Sequence, residues 1–307
     1  MPHAPTKNDI QAFWGSLYDS LYEDVDRDLT RDALFASLDD LEDMFRFRAH
    51  MAVVEMPLAD LAGKQVLEIG PGAGGHSALF AKHGAIMTSV DLTAHRARAT
   101  QAKYQLMGDA AKGCGALQGD AERLPFADET FDIVYSNGVL HHTLDTERAI
   151  GEVHRILKPG GQGVIMLYCK SSWHYWVNLW FCIGVLRGRM FGDPNWVGKA
   201  TEWGGKNIQT VANPITRCYT ASGMKHLFTG FENLTLRKGE FYFYLIPKIG
   251  RYYRKWQIKT LGTHPGGVLV YGEPWPMQSG FELWLGRLMG FAWFASVKKP
   301  TKAEPSQ

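Results

Sequence analysis

From residue 64 onward, short apolar runs alternate with stretches of helical periodicity. The runs at 65–69, 85–90, 116–118, 131–135 and 163–168 predict strands, and the intervening 74–83, 93–107 and 146–157 predict helices. Strands alternating with helices imply a parallel sheet covered on both faces. Ahead of this pattern, residues 9–57 read as an acidic helical preface in which Leu34, Leu38, Leu41 and Phe45 recur at helical spacing and Pro57 closes the run. Behind it, residues 170–220 break the rhythm with Trp, Gly, Asn and Pro, as an insertion over the sheet edge would. A capped helix at 220–228 and a strand at 233–237 follow. An irregular aromatic stretch then runs over 241–280, with Pro247, Pro265, Pro274 and Pro276, before a last apolar run at 291–297.

Within the first insertion, residues 171–186 carry no formal charge but fall short of the ~20 residues a membrane-spanning helix needs. Trp173, Trp176 and Trp180 are spaced three and four apart, so on an α-helix they share a face. Such a stripe is expected to turn inward onto the core; the alternatives are a substrate lid or a helix lying on a lipid surface, with Arg187 and Arg189 just beyond it.

At 307 residues, and ~150 residues per domain, the length suits two domains or one with large insertions. The 33 basic and 31 acidic residues nearly cancel, and charged residues make up 21% against 45% hydrophobic, which excludes a disordered chain and makes nucleic acid an unexpected partner. The 10 Trp, 12 Tyr and 16 Phe crowd the stretch after residue 170, which points to an apolar ligand. Cys114, Cys169, Cys182 and Cys218 form no CxxC pair, so they read as reduced thiols and imply no metal. Residues 1–14 lack the apolar run of a secretion signal, so a cytoplasmic location is expected.

The chemistry concentrates at VLEIGPGAGG, residues 66–75, where a strand runs directly into a glycine-rich turn and a helix. Glycines let a ligand approach the backbone, and the helix start offers free N–H groups to an anion. Gly70, Gly72 and Gly75 fit the dinucleotide pattern as well as Gly70, Gly72 and Gly74 fit the S-adenosylmethionine pattern. Asp91, 21 residues after Gly70, suits ribose hydroxyls in either case. Further on come GDAERLPFADETFDIVYSNGVLHH over 119–142 and LKPGG over 157–161.

Together with SVDLT at 89–93 and EVHRILKPGG at 152–161, this series resembles the class I S-adenosylmethionine-dependent methyltransferases. The likeness is to the methyltransferase type 11 group, similar to quinone-type C-methyltransferases and small-molecule O-methyltransferases. It covers residues 62–170 strongly and resumes weakly at 219–238. The resemblance implies an α/β, doubly wound Rossmann-like sheet of seven strands with one antiparallel strand near the end. Its divisions would be a helical N-terminal flap (1–60), a cofactor-binding core (61–170), a substrate-side cap with the last strands (171–298) and a polar tail (299–307).

It also implies roles. Glu68 and the backbone of Gly70, Gly72 and Gly74 would hold the amino-acid end of S-adenosyl-L-methionine. Asp91 would take both ribose hydroxyls, with Leu92 against the adenine. Asp120 would accept from the adenine amino group, Ala121 would offer a backbone N–H, and Asn137 would lie beneath the sulfonium. His141 and His142, just past the fourth strand, are the nearest candidate bases for an oxygen acceptor. His174, His226 and His264 are weaker candidates, and Tyr18 and Tyr22 in the preface are candidate contacts.

The expected activity is O- or C-methylation of a small apolar or lipid-like acceptor, with peripheral membrane contact as a subsidiary expectation. A nicotinamide-dependent oxidoreductase would leave Asp120, Asn137 and LKPGG without a reason. A binding protein that keeps the fold without turnover is opposed by the intact Gly70, Gly72, Asp91 and Asp120.

Overall fold

The computed structural model of the protein describes residues 4–21, 23–201, 213–246 and 249–301, without the side chains of residues 18–24. The side chains of Tyr18 and Tyr22 therefore lie outside the described residues. Seven strands form the main path of the sheet: β1 (Gln65–Ile69), β2 (Ile86–Asp91), β3 (Gly115–Gln118), β4 (Phe131–Asn137), β5 (Leu157–Cys169), β6 (Glu232–Gly239) and β7 (Ala292–Lys298). Their order is 3-2-1-4-5-7-6, with β1 to β5 parallel and β7 antiparallel to both its neighbours. A two-residue strand, Cys218–Tyr219, pairs in parallel with the end of β5. The α/β class, the doubly wound order and the late antiparallel strand are those expected.

β5 begins before its expected start at 163. It pairs with β4 as Phe131↔Leu157 and again as Ile133↔Gln162, and the Lys-Pro-Gly-Gly excursion between them absorbs the register shift.

Side chains alternate across the sheet, and each face has its own core. Val66, Met87, Tyr135, Val164 and Phe294 face one way; Leu67, Ile69, Val134, Ile165 and Leu167 face the other. Ahead of the sheet lie α1 (Lys7–Leu21) and α2 (Arg31–Phe47). Helix α2 starts where the Thr30 hydroxyl accepts from the Ala33 N–H, and it buries Leu34, Leu38, Leu41 and Phe45 completely against the first face. Each such burial contributes about 1.5–3 kcal/mol. The preface is thus not one flap: α2 belongs to the core, and only α1 reaches the ends of the strands. Helices α3 (Gly75–Lys82) and α4 (Ala94–Met107) share the first face with α2, while α5 (Thr146–Ile156) and α6 (Ala221–Leu227) cover the second.

The stretch expected to be irregular, 241–280, contains a helix, α7 (Gly250–Leu261), and a short ribbon pairing Thr263–His264 with Trp275–Pro276, and a second helix, α8 (Gly280–Met289), starts at its end. Between them, the turn Val268–Tyr271 rests on the start of α3: a Cβ on Gly75 would lie 2.8 Å from the Leu269 carbonyl oxygen. This cap is tied to the core by Arg48, just past α2, whose buried guanidinium donates to the hydroxyls of Tyr242 and Tyr271 and stands 3.8 Å from Glu240.

The first insertion holds a π-helix, His174–Val185. Its wider winding changes which residues share a face. Tyr175 and Leu179 turn inward, whereas Trp176 and Trp180 are 48% and 36% exposed, so the tryptophan stripe does not turn onto the core as expected.

Candidate active site

A cavity of about 300 Å³ opens at the carboxyl ends of β1, β2 and β4. Its floor is the turn after β1. Gly70 adopts φ +73°, and a Cβ there would lie 2.3 Å from a Val139 methyl; Gly74 adopts φ +84°, and a Cβ there would meet Thr100 at 2.8 Å. Any other residue would be strained at both and would push the neighbouring segment away. The Gly70 N–H donates to the Val90 carbonyl and the Gly119 N–H to the Asp91 carbonyl, which aligns the three strand ends.

Two buried carboxylates line this cavity. Asp91 is 6% exposed; its Oδ1 accepts from both the N–H and the hydroxyl of Thr93, each at 2.8 Å. Burial raises its pKa, opposed by Arg96 and by the backbone N–H groups of Thr93 and Gly72. Glu68, on β1, accepts from the Ser77 hydroxyl, and burial together with the nearby Asp91 charge pushes its carboxyl up to about 8. His76, within 4.0 Å of Glu68, bonds the Tyr135 hydroxyl at 2.8 Å and is held neutral down to about 3 by burial and by Arg48. An enclosed site with acidic groups that resist ionisation favours a ligand carrying positive charge and hydroxyl donors.

At the rim, Asp120 Oδ1 accepts from the Glu122 N–H at 2.9 Å, and its second oxygen pairs with Lys7 of α1. Ala121 and Leu92 also line the cavity, and the Leu92 carbonyl accepts from Gln11 of α1 at 3.2 Å. Asn137, at the end of β4, presents a buried Oδ1 that has no hydrogen-bond partner among the described residues. An orphaned acceptor on a cavity wall is a place for a ligand to satisfy.

The histidine pair divides. His142 lines the cavity, and its Nδ1 lies 2.9 Å from the Ile215 carbonyl, an acceptor, 3.2 Å from the Asn213 amide nitrogen, a donor, and 3.1 Å from the Thr216 hydroxyl, so this nitrogen is held in place in either tautomer. His141 is fully buried outside the cavity lining, between the rings of His142 and Tyr168 at 4.1 and 4.0 Å. Neither of its nitrogens has a hydrogen-bond partner among the described residues, and burial and His142 keep it neutral. His174, His226 and His264 do not line the cavity.

Residues 67–165 match the family model described as a methyltransferase domain. A phthiotriol/phenolphthiotriol dimycocerosates methyltransferase of Mycobacterium tuberculosis is 38% identical over 104 residues, 33% of this chain and 37% of its own length. A demethylmenaquinone methyltransferase of Streptomyces avermitilis is 30% identical over 156 residues, 50% of this chain and 61% of its own. Residues 67–165 thus carry a methyltransferase domain, and these matches support the class I S-adenosylmethionine-dependent group. The matched segments span little more than a third of the first relative and under two thirds of the second. Over almost the whole chain, the crystal structure of the [4+2]-cyclase SpnF has the same fold, with TM-score 0.56 and 17% identity, covering 98% of this chain and 99% of that one.

In this methyltransferase domain the strand-end residues named from sequence, Glu68, Gly70, Gly72, Asp91, Leu92, Asp120, Ala121 and Asn137, converge on one cavity; Gly74 stands just behind it at the start of α3. Sequence reasoning missed the other walls. Lys7, Ile10 and Trp14 come from α1, where their three- and four-residue spacing was the available signal. Leu269, Val270 and Tyr271 come from the cap, far along the chain, with no local pattern to mark them.

Proposed function

We propose that this methyltransferase moves a methyl group from S-adenosylmethionine to an oxygen or carbon atom of a small, apolar, lipid-like acceptor. The observation that carries the reading is the cavity itself: two buried carboxyl groups, an unpartnered Asn137 oxygen and a close-packed glycine turn, roofed by the apolar Trp14, Val139 and Leu269. The residues fit the cofactor, which when bound supplies a methyl group on a positively charged sulfur. The outer oxygen of Asp91 suits the ribose hydroxyls, since Thr93 already occupies Oδ1. Glu68 and Asn137 suit the positively charged methionine end.

Charge on sulfur disappears as the methyl group leaves, so a dry, oriented pocket supplies much of the acceleration. Trp14 and the turn Val268–Tyr271 exclude water from above. His142, on the cavity wall, is the group suited to accept a proton from an oxygen acceptor, or from a carbon acceptor after methylation. His141 supports its ring from behind. The apolar acceptor is supported by the aromatic cap and by relatives named for a dimycocerosate and a demethylmenaquinone.

Thermal unfolding with S-adenosylmethionine, S-adenosylhomocysteine, NAD and NADP tests the cofactor. A ligand at 100 times its Kd stabilises by about 2.7 kcal/mol, so the first two are expected to raise Tm and the last two to leave it unchanged. The Asp91→Ala variant is expected to lose the response. Stabilisation by NAD, or by none of the four, overturns the reading.

A further inference from the structure

We propose that the outer face of α7 and α8 docks this methyltransferase onto an anionic lipid bilayer. On α7, Tyr252 and Trp256 are 60% and 52% exposed; on α8, Phe281, Trp284 and Leu288 are 58%, 53% and 53% exposed. The spacings of four on α7 and of three and four on α8 set each group on one helical face. The two groups form one surface, because ring contacts lead from Trp256 to Tyr253 (5.4 Å), Phe243 (5.3 Å), Phe281 (6.0 Å) and Trp284 (5.7 Å). Beneath this surface Phe243 also meets the buried Phe241, which in turn meets Trp173 at the start of the π-helix and so anchors the face to the core. An exposed apolar patch of this continuity marks an interaction surface rather than ordinary scatter.

Charge identifies the occupant. Helix α7 carries Arg251, Arg254, Lys255 and Lys259 and no acidic residue. Helix α8 adds the exposed Arg287, and its one acid, Glu282, is fully buried, accepting from Phe243, Gln257 and the Ser279 cap. Of the five cations only Arg254 has an ion-pair partner among the described residues, Glu273. The face therefore presents aromatic and aliphatic side chains inside a rim in which five cations meet one exposed acid, Glu273, the composition of a helix seated at a headgroup boundary and drawn there by anionic lipid. No helix among the described residues is long and apolar enough to cross a membrane, so this is attachment to a surface. The cap that carries the face also contributes Leu269–Tyr271 to the cavity, which brings an acceptor dissolved in the bilayer to the same part of the molecule.

The test is flotation of the full chain with phosphatidylcholine vesicles, with and without phosphatidylglycerol, and it requires no cofactor. The chain is expected to float with the anionic vesicles, at least about tenfold more than with the neutral ones, and to be released by high salt. Trp256→Ala with Trp284→Ala, and separately Lys255→Glu with Lys259→Glu, are expected to cut flotation by tenfold or more while leaving the thermal response to S-adenosylmethionine intact. No flotation with anionic vesicles overturns the proposal, as does flotation insensitive to both salt and the charge reversals. Sedimentation showing a dimer of the chain that the tryptophan pair abolishes, with no vesicle binding, assigns the face to a second copy and also overturns it. Because flotation and cofactor stabilisation are read separately, failure of one leaves the other standing.

Discussion

Glu68 is held in the neutral form by its surroundings. Its carboxyl is fully buried beside Asp91, and its pKa of about 8 lies well above the ordinary 4.5. Between those values the folded chain keeps a proton that the unfolded chain releases, so the stabilisation is complete below about pH 4.5 and is lost as pH rises through 8. Above about pH 6.5, where the buried His76 is neutral in both states, the empty protein is therefore expected to lose stability as pH rises to 8, and Glu68→Gln to flatten the slope. His76 titrates in the opposite sense below its usual range, being neutral down to about 3, so the difference between the two proteins isolates Glu68. A ligand bringing positive charge to Glu68 displaces the proton, which makes cofactor affinity rise with pH over the same interval. Calorimetric titration in two buffers of different ionisation enthalpy reads that proton release directly; equal pH slopes in the parent protein and Glu68→Gln would falsify the assignment. The positions of Glu68, Asp91 and Asn137 were legible in the sequence because each lies in the last two residues of a strand whose apolar run is readable and within a motif that the resemblance picks out. The division between His141 and His142 was not, because it depends on which ring Tyr168 and Ile215, distant in sequence, come to touch.

At the level of elements, α1 is latched and the cap is wedged. Lys7 of α1 pairs with Asp120 and stands 3.3 Å from Glu122, but its side chain is 41% exposed, so the latch is worth no more than about 1 kcal/mol. Lys7→Ala is expected to leave the stability of the empty protein nearly unchanged and to speed cofactor dissociation about two- to fivefold, measured by stopped-flow displacement. An unchanged dissociation rate would show that α1 does not gate the cavity. The cap is held by close backbone packing: a Cβ on Gly266 would lie 2.4 Å from the Asp40 carbonyl oxygen of α2. Gly266→Ala is expected to destabilise by about 1–3 kcal/mol in denaturant unfolding, with weakened cofactor binding as the roof shifts. The core elements were readable from apolar periodicity because they face a core. Helices α7 and α8 were not, since their aromatic residues face outward while polar Gln257 and Glu282 are buried between them, the reverse of the pattern on which amphipathic reading depends. The π-helix escaped for a related reason: Trp176 and Trp180 do share a face and touch at 5.6 Å, but that face is the outer one, and Tyr175 and Leu179 turn inward instead.

Taken as a whole molecule, the cavity is assembled from three regions remote in sequence: α1 through Lys7 and Trp14, the strand-end loops from Glu68 to Thr143, and the cap through Leu269–Tyr271. The middle region was legible because its motif is continuous along the chain, whereas the two covers become neighbours only once the sheet has closed. Trp14 meets His142 at 5.0 Å from one side, and Tyr271 is fixed by Arg48 on the other, so a ligand between them contacts elements that share no strand. Ligand binding energy is then divided among segments whose separate openings expose the cavity, and occupancy suppresses both openings together. Hydrogen exchange of the full chain is expected to slow in α1 and in Val268–Tyr271 together when S-adenosylhomocysteine is added. The amides of β1, β4 and β5, at the centre of the sheet and open only in global unfolding, are expected to slow only by the overall gain in stability. In Asp91→Ala the coupled protection should vanish from both covers at the same ligand concentration. Protection confined to α1 would mean that the cap turn is a fixed wall and that acceptor entry is controlled from the N-terminal side alone.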